Sequence, residues 1–596
     1  MLIGIDDTDS LKGMCTTYLA ALLCRNFKDS LVGFPRLIRL NPNIPFKTRG
    51  NGAIAIRVKV EKSKSEIEEI KELVLKTVEK YSQLKDENTN PGVVFLEDES
   101  KVNLLREFYF KALSQLVSLA EAEKLARKVN AEVHKFKNGR GVIGALAAIG
   151  SDLSKDKTYE ILAYRKVENF GKPRKIDENS VIEMDLKTRP LTFNNIDPES
   201  KRILITPHGY DPVLFGIRGE NPEILEKAAK LIKTKEEIAL SQIFESNQAT
   251  DVHLRKKKIA EVNGYDCVIL EGIVAEKPRN LKGGHVIFKL KDETSSIECA
   301  AYEPTKSFRD FVRKLREGDK LRVYGGVGKY EHTVNLEKFE ILKLNKIYHR
   351  LAPICCNKRM TSAGKGKGFK CKKCGKRLPE SAAIVKEVPR DLKEIIYEVP
   401  LAAMRHLSKP ISRFKHELRK KILAKRESLP KEIVAKKSEI IAKKLLAREE
   451  LKKTKVIFIY ASFKNEVQTL KLIEKLLNSG KKVLVPKIRF PKREMIAVAI
   501  NSLAELKTNK IGIPEPSSEK EFPAEKIELA VIPGIVFDKR RYRIGYGYGY
   551  YDAFLSKAKN AKKIALAFDF QVLERIPAQP WDVQMDLIIT DHETIL

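Results

Sequence analysis

The sequence has no apolar run long enough to cross a bilayer, which takes roughly eighteen residues, and no basic stretch ahead of an apolar one at its start. Neither a membrane span nor a secretory leader is expected, and the chain reads as cytoplasmic. Cysteine is scarce too. Eight in 596 residues are too few for a disulfide scaffold, and four of them fall between positions 355 and 374, which suggests metal. Tryptophan occurs once, as Trp581. Acidic residues are outnumbered, 79 against 113 Lys and Arg, for a formal net charge of +34. A Lys-rich, heat-adapted surface would raise Glu as well, so the excess points to a polyanionic partner, most often nucleic acid. The length fits about four domains.

What is present is most concentrated at the start. Residues 2–5 read as a short buried strand and 16–27 as a helix, with Gly4-Ile-Asp6-Asp7-Thr8-Asp9-Ser10 between them. Asp, Thr and Ser favour plain turns. Three carboxylates directly after an apolar strand, however, repel one another unless a cation neutralises them. A strand end beside a helix start is also where magnesium and phosphate bind. Residues 31–40 and 53–60 read as strands, and Lys47, Arg49, Gly50, Asn51 and Gly52 between them could hold phosphate oxygens. Asn-Gly is equally a turn. Helices are expected over 64–80 and 99–129, with a strand over 91–96.

The segments GIDDTDSLKGMCTTYLA, GFPRLIRLNPNIPFKTRGNGA, TNPGVVF, GVIGALAAIG and GIRGENPE resemble the archaeal tRNA-isoleucine agmatinylcytidine synthetases, TiaS, over residues 1 to about 413. That family phosphorylates the C2 oxygen of the wobble cytidine with ATP and lets agmatine displace the phosphate. The resemblance implies a tRNA-isoleucine substrate with a CAU anticodon and agmatine as second substrate. It would make Asp6, Asp7 and Asp9 the magnesium and catalytic acids, Thr16 the autophosphorylated threonine, and Lys47, Arg49 and Asn51 ATP-side groups.

Further along, 139–150 and 158–165 read as paired strands and 221–232 as a helix, consistent with the family's ferredoxin-like domain. His134, His208 and His253 read as surface or packed residues, with His253 in a stretch that could face substrate. Short alternating strands over 265–342, broken by Gly pairs and a helix at 307–315, give an OB-fold pattern. Phe288, Tyr302 and Tyr324 are either stacking platforms or core aromatics. Cys371-Lys-Lys-Cys374, preceded by Cys355-Cys356, suggests a zinc ribbon of four thiolates. The first knuckle departs from the family's Cys-x-x-Cys: Cys356 aligns with its second ligand and Pro353 with its first, so adjacent Cys355 would have to stand in. The basic segment 397–413 is expected near phosphates.

From 412 on, a basic helix, a second helix over 431–450 and then alternating strands and helices indicate a mostly parallel sheet with ligands at strand carboxyl ends. Glycine at every second place in Arg543-Ile-Gly545-Tyr-Gly547-Tyr-Gly549-Tyr550-Tyr551-Asp552 exposes backbone N–H groups to phosphate. With Lys415-x-x-x-Arg419, YASFKNEVQT, GIPEP and Asp582-Val-Gln-Met-Asp586, this module resembles 5-formyltetrahydrofolate cyclo-ligase, which closes 5-formyltetrahydrofolate to the 5,10-methenyl form with ATP. The resemblance implies that Lys415, Arg419, Arg543, Gly545, Gly547, Gly549, Tyr550 and Tyr551 hold ATP, that Ala461 and Glu466 face folate, and that Asp552 and Asp582 hold magnesium.

The expected architecture is multidomain, α+β and α/β. It comprises an N-terminal α/β kinase-like domain (1–138), a ferredoxin-like domain (139–258), an OB-fold barrel (259–347), a zinc ribbon (348–384), a basic linker (385–411) and a cyclo-ligase domain (412–596). Two ATP-dependent activities are expected. The rivals are a catalytically inert C-terminal appendage that holds tRNA by its basic first helix, and a first activity directed at another nucleic-acid base.

Overall fold

Strand β1 (Leu2–Asp6) is the centre of the N-terminal sheet because nearly every residue in it is apolar or glycine and buried. Its two faces serve two cores. Ile3 and Ile5 pack with Leu19 and Leu23 of α1 (Thr16–Asn26) and Val74 and Val78 of α2 (Lys64–Tyr81). Leu2 faces Phe108 and Tyr109 of α3 (Arg106–Ser114), Ala122 and Ala126 of α4 (Leu119–Lys128), and α5 (Val142–Ile149). The chain is described here in a computed structural model that covers residues 1–48, 50–61, 63–328, 332–489, 494–509 and 512–596.

Helix α5 corrects a sequence expectation, since 139–150 reads as a strand. Eight apolar or small residues in a row fit either state by periodicity, and tertiary packing decides. A Cβ on Gly4 would overlap the Ala145 carbonyl, and one on Gly92 the backbone of Val142. Glycine at both places lets the helix lie directly on the sheet, where a strand would bury far less apolar surface.

The strands are β2 (Arg36–Arg39), β3 (Gly52–Arg57), β4 (Gly92–Leu96), β5 (Glu132–Lys135), β6 (Thr158–Arg165), β7 (Thr192–Phe193), β8 (Val213–Gly219) and β9 (Ile238–Ser246). Five of the N-terminal strands run β5-β4-β1-β3-β2 with antiparallel pairing, and β2 then pairs in parallel with β9, itself antiparallel to β6. The expected strand over 31–40 is confined to Arg36–Arg39.

The chain divides into two compact units. The first holds Met1–Lys175, Ile196–Gly216 and Glu236–Ser408. Besides the sheet above, it contains a barrel of β10 (Arg255–Lys256), β11 (Cys267–Asn280), β12 (Val286–Lys291), β13 (Ser296–Ala301), β14 (Lys320–Val327) and β15 (Thr333–Lys343). Strand β14 pairs with β15 and again with β11, which closes the barrel, and α8 (Phe308–Arg313) lies between β13 and β14 in sequence. This is the OB arrangement. Of its aromatics, Phe288 is fully buried core, Tyr302 meets His285 edge-on, and Tyr324 carries the Lys338 ammonium over its ring. Residues 354–378 fold as two-residue strands with little buried apolar surface, too few to hold together without a cross-link.

The second unit holds Ile176–Asn195, Ile217–Lys235 and Lys409–Leu596. It therefore takes α6 (Glu178–Thr188) and α7 (Pro222–Leu231), which are capped by Asp177 and Asn221, together with the C-terminal module. That module starts with α9 (Ile411–Glu427), α10 (Lys431–Leu446) and α11 (Glu449–Lys453), and continues with α12 (Leu470–Asn478) and α13 (Tyr550–Lys557). Its sheet has a parallel centre: Lys482–Arg489, Val456–Ile459, Leu529–Ile532, Lys562–Ala567 and Leu587–Thr590, flanked by antiparallel edge strands. Apolar clusters cover both faces, as a parallel sheet requires.

Candidate functional site

In the first unit the three acids are half-buried in a tight loop whose Thr8 and Ser10 are buried. Asp6 ends β1 beneath the start of α5, where a Cβ on Gly144 would overlap its carboxylate. Its Oδ1 accepts the Asp7 backbone N–H at 2.7 Å, while Asp7 itself turns through φ 60°. Burial, with Asp7 and Asp9 beside it, pushes the Asp6 carboxyl up to about 8. Asp7 is also raised by burial, but Arg140 opposes this with Nε at 3.1 Å and Nη2 at 2.7 Å from Oδ2. Asp9 accepts the Thr48 hydroxyl at 2.6 Å through its side chain and the Thr89 hydroxyl at 2.7 Å through its carbonyl. Thr16, the first residue of α1, is buried, and its hydroxyl accepts from Thr8 at 3.0 Å. Three clustered carboxylates, one so costly to ionise, are a hard-oxygen set that fits a divalent cation.

Two of the other expected nucleotide-side groups, Lys47 and Asn51, hydrogen-bond to backbone carbonyls away from this loop. The Lys47 ammonium donates to the Pro42 carbonyl, and burial with nearby Arg405 brings it down to about 8. Asn51 donates to the Asn41 carbonyl at 3.0 Å. Arg49 lies outside the described residues. Thr48 and Arg140, which do reach the acids, were missed from sequence; the only signal was their place in the motifs PFKTRG and NGRGVIG. His253 is a packed residue, one of the two states the sequence allowed. It is fully buried with its Nε2 3.3 Å from both Glu337 oxygens, and Ser408 and Arg405 close on the same carboxylate. Those contacts bring Glu337 down to about 2 despite its burial. Arg405 of the basic segment thus pairs with a buried acid while its side chain stays partly exposed.

The four clustered cysteines converge. The Sγ atoms of Cys355, Cys356, Cys371 and Cys374 all lie within 4.8 Å of one another, with Cys355 3.5 Å from Cys374 and 3.9 Å from Cys356. Tetrahedral zinc with Zn–S of about 2.3 Å needs sulfurs roughly 3.8 Å apart, so the set fits. The adjacent pair can share one centre because Cys356 and Asn357 both adopt positive φ, 49° and 61°, which curls the chain around the sulfurs. Backbone N–H groups of Cys374 and Lys373 bring the Cys371 thiol down to about 6, toward the ligating thiolate.

The second unit carries a cleft of about 950 Å³ at the carboxyl ends of the parallel strands. Gly547 and Gly549, at φ 103° and 73°, need the left-handed conformation that glycine permits as the chain turns into α13. Arg419 donates from Nε to the Gly545 carbonyl at 2.7 Å. Its Nη1 and the Nε of Arg543 are buried without a hydrogen-bond partner. Two unsatisfied guanidinium donors beside a glycine loop are suited to phosphate oxygens. Burial lowers Arg419 to about 10. Asp552 accepts from Arg543 at 3.2 Å and from the Val583 N–H at 3.1 Å. Asp582 pairs with Lys415 and accepts the Gln579 N–H at 2.8 Å. Both are hard-oxygen donors on the cleft wall and fit magnesium shared with phosphates.

Across the cleft, Ala461 follows the strand Val456–Ile459, and Glu466 is buried with Oε2 3.0 Å from the Phe463 N–H and Oε1 3.1 Å from the Tyr546 hydroxyl. Burial raises the Glu466 carboxyl; Arg426 and Tyr546 oppose it. Arg426 in turn donates to Tyr546 at 2.8 Å. This Arg426–Tyr546–Glu466 chain was not read from sequence, since its members lie far apart along it. Tyr550 stacks on Tyr548 at 5.8 Å, and Tyr551 is half-buried in the cleft lining.

Family models match in series: the TiaS TCKD domain over residues 2–138, the TiaS FLD domain over 139–253, an OB-fold nucleic acid binding domain over 268–342, and the TiaS C-terminal zinc ribbon domain over 352–392. The tRNA 2-agmatinylcytidine synthetase TiaS of Pyrococcus horikoshii is 50% identical over 413 residues, 69% of this chain and 96% of that protein. The chain belongs to the TiaS family. TiaS of Methanocaldococcus jannaschii is likewise 50% identical, over 419 residues and 98% of its length. A crystal structure of TiaS in complex with its isoleucine tRNA and ATP aligns with a TM-score of 0.64 at 42% identity, covering 69% of this chain and 97% of that one. Beyond the TiaS portion, the 5-formyltetrahydrofolate cyclo-ligase family matches residues 411–591. This TiaS chain therefore carries a C-terminal cyclo-ligase domain. No helix among the described residues is long and apolar enough to cross a membrane.

Proposed function

We propose that the chain is a bifunctional ATP-dependent enzyme. Its TiaS portion joins agmatine to C2 of the wobble cytidine of tRNA-isoleucine with a CAU anticodon, through a phosphorylated cytidine. Its C-terminal domain converts 5-formyltetrahydrofolate to 5,10-methenyltetrahydrofolate.

The observation that carries the first activity is the acid loop in a chain half identical to named synthetases. Asp6, Asp7 and Asp9 would hold magnesium, which when bound neutralises charge on the transferring phosphoryl group. Arg140 fixes the Asp7 carboxylate, Thr48 fixes Asp9, and the Thr16 hydroxyl stands against the loop through Thr8. The four cysteines, Cys355 included, would hold one zinc that stands in for a core in the ribbon. The excess of cations supports the tRNA reading. Mass spectrometry of the wobble cytidine after incubation with ATP and agmatine tests it.

The second activity is supported by the cleft. Arg419, Arg543, Lys415 and the glycine loop would position ATP phosphates, Asp552 and Asp582 would hold magnesium, and Ala461 and Glu466 would face folate. Phosphorylation of the formyl oxygen lets the substrate's own nitrogen attack the formyl carbon, and phosphate leaves as the ring closes. The rival is an inert, tRNA-holding appendage: in α9, Arg413, Arg419 and Arg426 are buried, while Lys420, Lys421 and Lys425 are exposed. What supports the enzyme reading is the pair of unpartnered guanidinium donors at the glycine loop. The appearance of methenyl absorbance with the full chain, ATP, magnesium and 5-formyltetrahydrofolate tests the enzyme reading, and its absence favours the appendage.

A further inference from the structure

The cleft of the C-terminal domain is not built from that domain alone. Leu186, on the last turn of α6, and Pro190, two residues before β7, line it together with Ser412 and Lys415 of α9. Both come from the segment that matches the ferredoxin-like TiaS domain. The contact is anchored next door. Arg413 is buried, reaches Glu220 with Nε at 2.8 Å and Nη2 at 3.2 Å, and lies over the Phe193 ring of β7 at 5.9 Å. This holds the start of α9, and with it Lys415, against the α6–β7 segment. Lys415 belongs to the phosphate side, paired with Asp582. The apolar pair therefore lines the cleft by the start of α9, whereas Glu466 and Tyr546 lie by Arg426 near the end of that helix.

We propose that Leu186 and Pro190 form an apolar wall against the base of the adenine nucleotide, so that the TiaS portion completes the ATP site of the cyclo-ligase domain. The proposal rests on reading the cleft as an ATP site. Leu186 is half-buried without ligand, and covering the rest of its side chain is worth about tenfold in affinity. A cyclo-ligase domain fused elsewhere would lack this wall.

Trp581 makes the test direct. It is the chain's single tryptophan, is 66% exposed and lines the same cleft, so its emission reports ligands bound there. Full-length wild type, Leu186→Ser, Leu186→Met and Ile182→Ser are titrated with magnesium-ATP; Ile182 is exposed on the same helix and lies off the cleft. Leu186→Ser is expected to weaken ATP binding about tenfold, and to raise KM for ATP in methenyl formation with kcat unchanged. Leu186→Met should restore wild-type behaviour and Ile182→Ser should match it. The proposal is overturned if Leu186→Ser binds ATP as wild type does, if Ile182→Ser weakens it equally, if only KM for the folate moves, or if magnesium-ATP does not perturb Trp581 in the wild type. A wild-type chain that binds ATP at Trp581 but makes no methenyl product refutes the cyclo-ligase reading alone, and the titration series still decides the wall.

Discussion

Asp6→Asn should make the protein more stable and inactive in tRNA modification at once. Asp6 ordinarily loses its proton near pH 3.8, but in the folded chain it keeps it to about 8. Between those values the folded state holds a proton that the unfolded chain has released, so stability is complete below the lower value and falls as pH rises toward the upper one. At about 1.4 kcal/mol per pH unit, the loss by pH 7 is on the order of 4 kcal/mol. An amide of the same shape still accepts the Asp7 N–H and never ionises, so it is free of this cost. In magnesium-free buffer the variant should melt roughly 10 °C higher than wild type at pH 8, with the gap closing near pH 4.5. Thermal unfolding followed by circular dichroism across that range is the assay, with cytidine modification measured in parallel. A variant less stable than wild type at pH 8, or an advantage that does not change with pH, would show that the folded chain does not hold Asp6 protonated.

Other outcomes follow from the same geometry. Arg140→Ala should leave Asp7 unanchored and cut cytidine modification by at least about tenfold, the scale of one charge-assisted bidentate pair, without slowing methenyl formation. Purified protein should contain one zinc per chain, and Cys355→Ser should lose it as Cys371→Ser and Cys374→Ser do; full zinc in Cys355→Ser by elemental analysis would remove that residue from the ligand set. Tyr546→Phe strips a hydrogen bond from buried Glu466 and should raise KM for 5-formyltetrahydrofolate more than KM for ATP in steady-state assays. The Kd for tRNA should rise steeply with salt in filter binding, as expected where cations displace phosphate counterions.

Much of this was legible in the sequence for identifiable reasons. Local patterns located α2, whose apolar residues recur at helical spacing, and the alternating strands of the OB barrel. The acid loop, the glycine-spaced segment 545–549 and the cysteine cluster were visible because their chemistry is contiguous or nearly so. What was hidden depended on distance along the chain. The helical state of 142–149 rests on Gly4 and Gly92, remote residues whose missing side chains admit it. Arg140 reaches Asp7 across 133 positions, and Tyr546 reaches Glu466 across 80. In the basic segment 397–413, Arg413 is buried on Glu220, and Arg405 pairs with Glu337 while staying partly exposed. Charge counts alone cannot separate a cation that faces a ligand from one buried against an acid.

If one chain holds two separate ATP-dependent sites, a crossed pair of variants separates them. Full-length Asp7→Asn and Asp552→Asn are each assayed for wobble-cytidine modification and for methenyltetrahydrofolate formation. Asp7→Asn should lose only the first activity and Asp552→Asn only the second. Loss of both activities in either folded variant, or methenyl formation that is absent from the wild-type chain, would contradict two separate sites.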